Sequence, residues 1–200
     1  MFCIVTALKE ELQPFLKRLK IAVPRKPLGE GGLYMADGLH LLQAGLGPRL
    51  SARTLALYLE KYRPDGLLNV GLAGALQPDT QTDQIYRVSE IVSGLAPTTI
   101  SLPVREEFVS LPSARLITVE EAVTDRKRRD ELVKRYDAQL VDMEAYALAE
   151  TARWHNTEFF SLKIVSDLAD EDAVETVLNK YKILCDKMAE HTLQILEIRK

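Results

Sequence analysis

Apolar residues along this chain follow two patterns that take turns. Short apolar runs of strand length alternate with longer stretches whose apolar positions recur every three or four residues. The first run is Phe2–Thr6, and a helix is predicted over 8–20 with Leu8, Leu12, Phe15, Leu16 and Leu19 on one face. Pro14 either kinks that helix or marks where its regular part begins. Pro24, Pro27, Gly29, Gly31, Gly32 and Gly38 predict turns around a strand at 33–36 that forms a hairpin with 39–44. Pro48 suits the start of a helix over 49–62. A turn at Pro64-Asp65-Gly66 leads into a strand at 67–70 and then a glycine turn at Gly71–Gly74. Further strands are expected at 85–93, 115–119, 139–142 and 159–165, with helices at 125–136 and 144–155. Residues 94–112, which carry Pro97, Pro103 and Pro112, read as an irregular loop. A long last helix places Val174, Val177, Leu178, Tyr181, Leu184, Cys185, Met188, Ile195 and Leu196 at helical spacing.

Strand and helix alternate through most of the chain. That order predicts one α/β domain over 1–200, a mixed, twisted sheet covered by helices on both faces. The chain has 200 residues, enough for one sizeable core. A net charge of -3 gives no general attraction to nucleic acid or acidic membranes. No apolar run approaches the roughly 18 residues a membrane span needs. The N-terminus reads as a strand, so a cytoplasmic protein is expected. Cys3 and Cys185 have no metal or disulfide spacing and are expected to be buried small hydrophobes. No metal or cofactor is expected. The charges of 125–136 read as a solvated helix face.

In such a fold, ligands gather at the C-terminal ends of strands. Glu10 and Glu11 follow the first strand, Asp142, Met143 and Glu144 follow 139–141, and Ser166 and Asp167 follow 159–165. The Gly71–Gly74 segment would let a ligand approach the backbone. Taken alone, Ser166 or Asp167 reads equally well as a helix cap, and Glu11 as a solvated charge. Carboxylates converging from three strand ends raise one another's pKa and suit general acid–base chemistry.

These residues carry a resemblance. Ala7-Leu8-Lys9-Glu10-Glu11, Gly45-Leu46-Gly47-Pro48, Asn69-Val70-Gly71-Leu72-Ala73-Gly74, Val141-Asp142-Met143-Glu144 and Ile164-Val165-Ser166-Asp167 occur in order. Together they resemble the purine nucleoside phosphorylase/uridine phosphorylase superfamily and, within it, the methylthioadenosine/S-adenosylhomocysteine nucleosidase branch. Gly-Leu-Gly-Pro, Gly-Leu-Ala-Gly and Val-Asp-Met-Glu are also similar to futalosine hydrolase and hopanoid-associated nucleosidases. The resemblance implies cleavage of the N-glycosidic bond of a purine, adenine-type, nucleoside. It implies Asp167 as proton donor to the base with Ser166 holding it, and Glu144 as acceptor for the ribose hydroxyls. Met143 would pack on the sugar and Glu11 activate water. It further implies that Asp142, Gly71, Leu72, Ala73, Val123 and Lys163 surround the substrate, and that the protein is a homodimer or higher homo-oligomer.

Three departures bear on the substrate. Leu72 stands where the family often has a hydroxyl, Lys163 where it usually has arginine, and Asp142 where it has glutamate. The aromatic segment that stacks on the base is replaced by Thr118–Val123. Two acids rather than a glycine follow the first strand, so water is favoured over phosphate as nucleophile. Arg49 and Arg53 read as surface charges rather than an anion site. A phosphorylase and a non-catalytic nucleoside-binding protein are the alternatives.

Overall fold

A computed structural model describes residues 1–22, 25–36 and 38–198; the turn expected at Pro24 lies outside them. Its strands are β1 (Phe2–Thr6), β2 (Lys26–Leu28), β3 (Gly31–Ala36), β4 (Leu39–Gln43), β5 (Gly66–Ala75), β6 (Ile85–Ser93), β7 (Thr99–Ser101), β8 (Ser113–Thr118), β9 (Leu140–Asp142) and β10 (Phe159–Asp167). The helices are α1 (Lys9–Arg18), α2 (Pro48–Lys61), α3 (Arg126–Tyr136), α4 (Ala145–Trp154) and α5 (Ala173–Ile195).

All of these strands join one mixed sheet. β5 is parallel to β1 and β10, and β10 is antiparallel to β6. From β6 the sheet continues through β8 and β9 and returns to β5, so these strands close a ring. β4, β3 and β2 extend it beyond β1, with the expected β3–β4 hairpin in place. α2 and α4 pack together on one face, over a core that includes Leu55, Leu59, Leu148 and Ala152. On the other face α1 and α5 pair, through Leu12, Phe15, Leu184 and Met188. Among the described residues, no helix is long and apolar enough to cross a membrane.

Several local expectations change. Gly71–Gly74 is not a turn, because β5 runs unbroken to Ala75 with β10 alongside it. β10 likewise continues through Ser166 and Asp167, and the N-cap of α5 is Asp172, so neither residue caps that helix. α1 begins at Lys9 and runs through Pro14, so the regular helix does not start at the proline. The loop 94–112 carries the short β7 and a single 3-10 turn at Glu106–Phe108. Val174 and Leu178 are not core: they are 56% and 67% exposed.

The architecture leaves a gap in β5 that matters for the site. β1 pairs along β5 only as far as Asn69, and β9 rejoins it at Gly74. The edge between them is free to bond something other than a strand.

Candidate active site

Glu11 fills that gap. It lies in the first turn of α1, where a carboxylate is favoured, and reaches back to the chain entering the helix. Its Oε2 accepts the backbone N–H groups of Ala7 at 3.0 Å and Leu8 at 2.9 Å, and its Oε1 accepts that of Leu72 at 3.1 Å. Glycine at position 71 admits the carboxylate, because a Cβ there would stand 2.7 Å from Glu11 Oε1 and 3.5 Å from Lys163 Nζ and the glutamate would have to shift. Burial pushes the Glu11 carboxyl above its ordinary range, against the three N–H groups and the Lys163 charge that favour ionisation.

Asp167 ends β10. Its Oδ1 accepts the Ala169 N–H at 2.8 Å and its Oδ2 the Ser166 hydroxyl at 2.6 Å. That hydroxyl also lies 3.3 Å from the carbonyl of Ala73, so one proton faces two acceptors. Gly74 gives the carboxylate room, since a Cβ there would lie 3.1 Å from Asp167 Oδ1.

Glu144 is the N-cap of α4, yet it does not cap the helix with its side chain. Its Oε1 instead accepts the N–H of Gly47, at the start of α2, at 2.7 Å. Burial first, and then repulsion from Asp142, push its carboxyl up to about 7, with Lys163 and the Gly47 N–H opposing. Asp142, the last residue of β9, is bonded on every side. Oδ1 accepts the Thr118 hydroxyl at 2.6 Å, and Oδ2 accepts the Ala145 N–H at 3.0 Å and the Lys163 ammonium at 2.8 Å. Burial alone would push Lys163 down, but Asp142, Glu144 and Glu11 outweigh it and the ammonium ends above its usual value.

The four acids meet at one cavity of about 320 Å³, lined also by Met143, Ser166, Leu72, Ala73 and Val123. Two of the expected site residues are not in its wall. Gly71 lies behind Glu11, against Phe15, Cys185 and Met188, and Lys163 sits beneath the floor, 2% exposed. Sequence reasoning missed Leu8 and Leu46 and the α5 residues Val174, Val177 and Leu178, which also line this cavity. The signal for the last three was present as the apolar stripe at helical spacing in α5. Thr118 was missed as a partner of Asp142, and nothing in a strand threonine marks that role. Among the described residues no arginine or lysine lines the cavity, and Arg49 and Arg53 are exposed on α2. A larger open groove of about 960 Å³ between α1 and α5 contains none of the expected site residues. Cys3 and Cys185 are both free and buried, and burial pushes their thiols up to about 12, where they are inert.

The family model of the phosphorylase superfamily matches residues 1–112 and 103–197. The chain is 24% identical over 169 residues to the 5′-methylthioadenosine/S-adenosylhomocysteine nucleosidase of Bacillus subtilis, covering 71% of this chain and 73% of that protein. Its fold is that of two Helicobacter pylori structures. One is the nucleosidase of the same name with butyl-thio-DADMe-Immucillin-A, at a TM-score of 0.88 and 18% identity over 98% of this chain and 97% of that one. The other is futalosine hydrolase, at a TM-score of 0.88 and 18% identity, with 98% and 97% covered. With the family model extending from β1 through α5, the chain belongs to the phosphorylase superfamily.

Proposed function

We propose that this protein is a nucleosidase that hydrolyses the N-glycosidic bond of a purine, adenine-type, nucleoside. The observation that carries the reading is the charge of the cavity wall. Glu11, Asp142, Glu144 and Asp167 line it, and among the described residues no lysine or arginine does. A phosphate nucleophile would have to enter a site lined by acids. A ribose that becomes cationic as its bond to the base breaks is stabilised there.

The roles follow from the bonding of each acid. Asp167 donates the proton that the departing base needs, and the Ser166 hydroxyl and the Ala169 N–H hold its carboxyl in place. Glu144 accepts hydrogen bonds from the ribose hydroxyls, while Gly47 holds one of its oxygens. Glu11, whose basicity is raised by burial, orients the attacking water and takes its proton. Met143 offers an adaptable apolar surface to the sugar. The named activity of the Bacillus subtilis relative supports an adenine nucleoside as the substrate class. The aromatic-free wall formed by Val119, Ala122 and Val123 supports a base held by aliphatic contact rather than by ring stacking. The assembly proposed is a homodimer or higher homo-oligomer.

The test is a panel of purine nucleosides assayed by chromatography for free base and free pentose, with and without phosphate. Release of base and free pentose at an unchanged rate without phosphate is expected. Pentose 1-phosphate as the product would overturn hydrolysis, and tight nucleoside binding with no base released would overturn catalysis.

A further inference from the structure

The N-terminus of α4 is capped in an unusual way. A helix leaves its first N–H groups unpaired, and the N-cap side chain normally accepts one of them. Here the N-cap residue is Glu144, and its carboxylate is turned away to the Gly47 N–H. Two other side chains do the capping. Asp142 Oδ2 accepts the N–H of Ala145 at 3.0 Å, and Thr118 Oγ1 accepts that of Tyr146 at 2.9 Å. The same threonine hydroxyl donates to Asp142 Oδ1, which fixes the acid from the β8 side. The buried Lys163 closes the arrangement from β10 at 2.8 Å.

We infer that Asp142 and Lys163 are a positioning pair, which frees Glu144 from capping its own helix and sets the pH at which it ionises. This rests on the nucleosidase reading, in which ionised Glu144 holds the ribose hydroxyls. The charged groups around Glu144 are Asp142 on β9, Lys163 on β10 and Glu11 on α1, with the Gly47 N–H at the start of α2 and Asp167 on β10 lining the same cavity. Asp142 disfavours the charged form of Glu144 and Lys163 favours it. The two halves of one ion pair therefore act on Glu144 with opposite sign.

The experiment follows the side-chain carboxyl carbon of Glu144 by NMR through a pH titration of the ligand-free protein, beside the pH profile of kcat/KM. Asp142→Asn is expected to lower the Glu144 midpoint by about one pH unit or more, and Lys163→Met to raise it by a similar amount, the size of one close charge in a partly screened site. The acid limb of kcat/KM moves with each. Lys163→Arg, which keeps the charge, returns the midpoint to within about 0.3 unit of the parent. Lys163→Met leaves Asp142 buried and unpaired, so the neutral pair of Asp142→Asn with Lys163→Met serves where the single variant does not fold. Its midpoint is expected above that of Asp142→Asn, because the lysine's charge is then removed as well. Midpoints that move in the same direction, or that do not move, would overturn the inference. A parent protein that releases no base would instead overturn the nucleosidase reading, and the NMR midpoints would still decide the pair's effect on Glu144.

Discussion

Gly71→Ala tests whether the cavity depends on the close approach of Glu11 to β5. The new methyl carbon would stand 2.7 Å from Glu11 Oε1, where ordinary contact begins at 3.4 Å. The carboxylate oxygen must therefore retreat by about 0.7 Å, which breaks its 3.1 Å bond to the Leu72 N–H. A lost hydrogen bond to a charged group costs about 1.5–3 kcal/mol, which corresponds to a fall in Tm of roughly 4–10 °C for a chain of this size. A misplacement of this order at a reacting group lowers turnover about 100-fold. The assays are thermal unfolding and initial rates of base release. The decisive measurement is a double-mutant cycle with Glu11→Ala. Without the glutamate the methyl meets no carboxylate, and alanine suits the extended backbone of a strand better than glycine does. In that background Gly71→Ala is expected to cost less than about 0.5 kcal/mol. Equal costs in both backgrounds would refute the claim that the glycine exists to admit Glu11.

Two further outcomes are expected. Asp167→Asn keeps the fold, because an amide oxygen can still accept from Ala169, while base release falls at least about 100-fold; turnover near that of the parent would remove Asp167 as proton donor. Glu144, with its folded pKa near 7 against an ordinary 4.5, stabilises the fold most fully below pH 4.5, and that contribution is lost as pH rises through 7. Glu144→Gln should therefore flatten the dependence of unfolding free energy on pH between about 5 and 8, removing a change on the order of 3 kcal/mol, as urea titrations at several pH values would show. An unchanged slope would mean that Glu144 is not buried as described.

Much of the fold was written in the period of the apolar residues, and the errors share a cause. β6 falls at Ile85–Ser93, as its apolar pattern predicts. β5 and β10 were cut short because Gly71–Gly74 and Ser166-Asp167 look like the punctuation that ends strands. In the structure these glycines and polar residues continue the strand, because each meets a specific partner: Glu11 at Gly71, Asp167 at Gly74, and the Ala73 carbonyl at Ser166. A sequence reports that a residue is small or polar, but it does not report the side chain that will arrive from elsewhere to make that residue necessary. The same limit explains α5. Helical spacing marks Val174, Val177 and Leu178 as an apolar face, and only the packing reveals that the face borders a cavity.

The acids divide in a way that spacing alone could not supply. Residue type gives Glu11, Asp142, Glu144 and Asp167 as four equivalent candidates. Hydrogen bonding makes them unequal. Asp142 is occupied by Thr118, Ala145 and Lys163, so its oxygens are committed to the protein even though it borders the cavity. Glu11 is tethered by three N–H groups, which fixes its position while burial raises its basicity. Asp167 is held through both oxygens, by the Ser166 hydroxyl and the Ala169 N–H, and Glu144 through one. Lys163 belongs to the same division. A lysine delivers its charge at one atom, and here that atom is bonded to Asp142. The ammonium is therefore committed to Asp142, which offsets its charge and leaves it no donor aimed at an anionic nucleophile in the cavity.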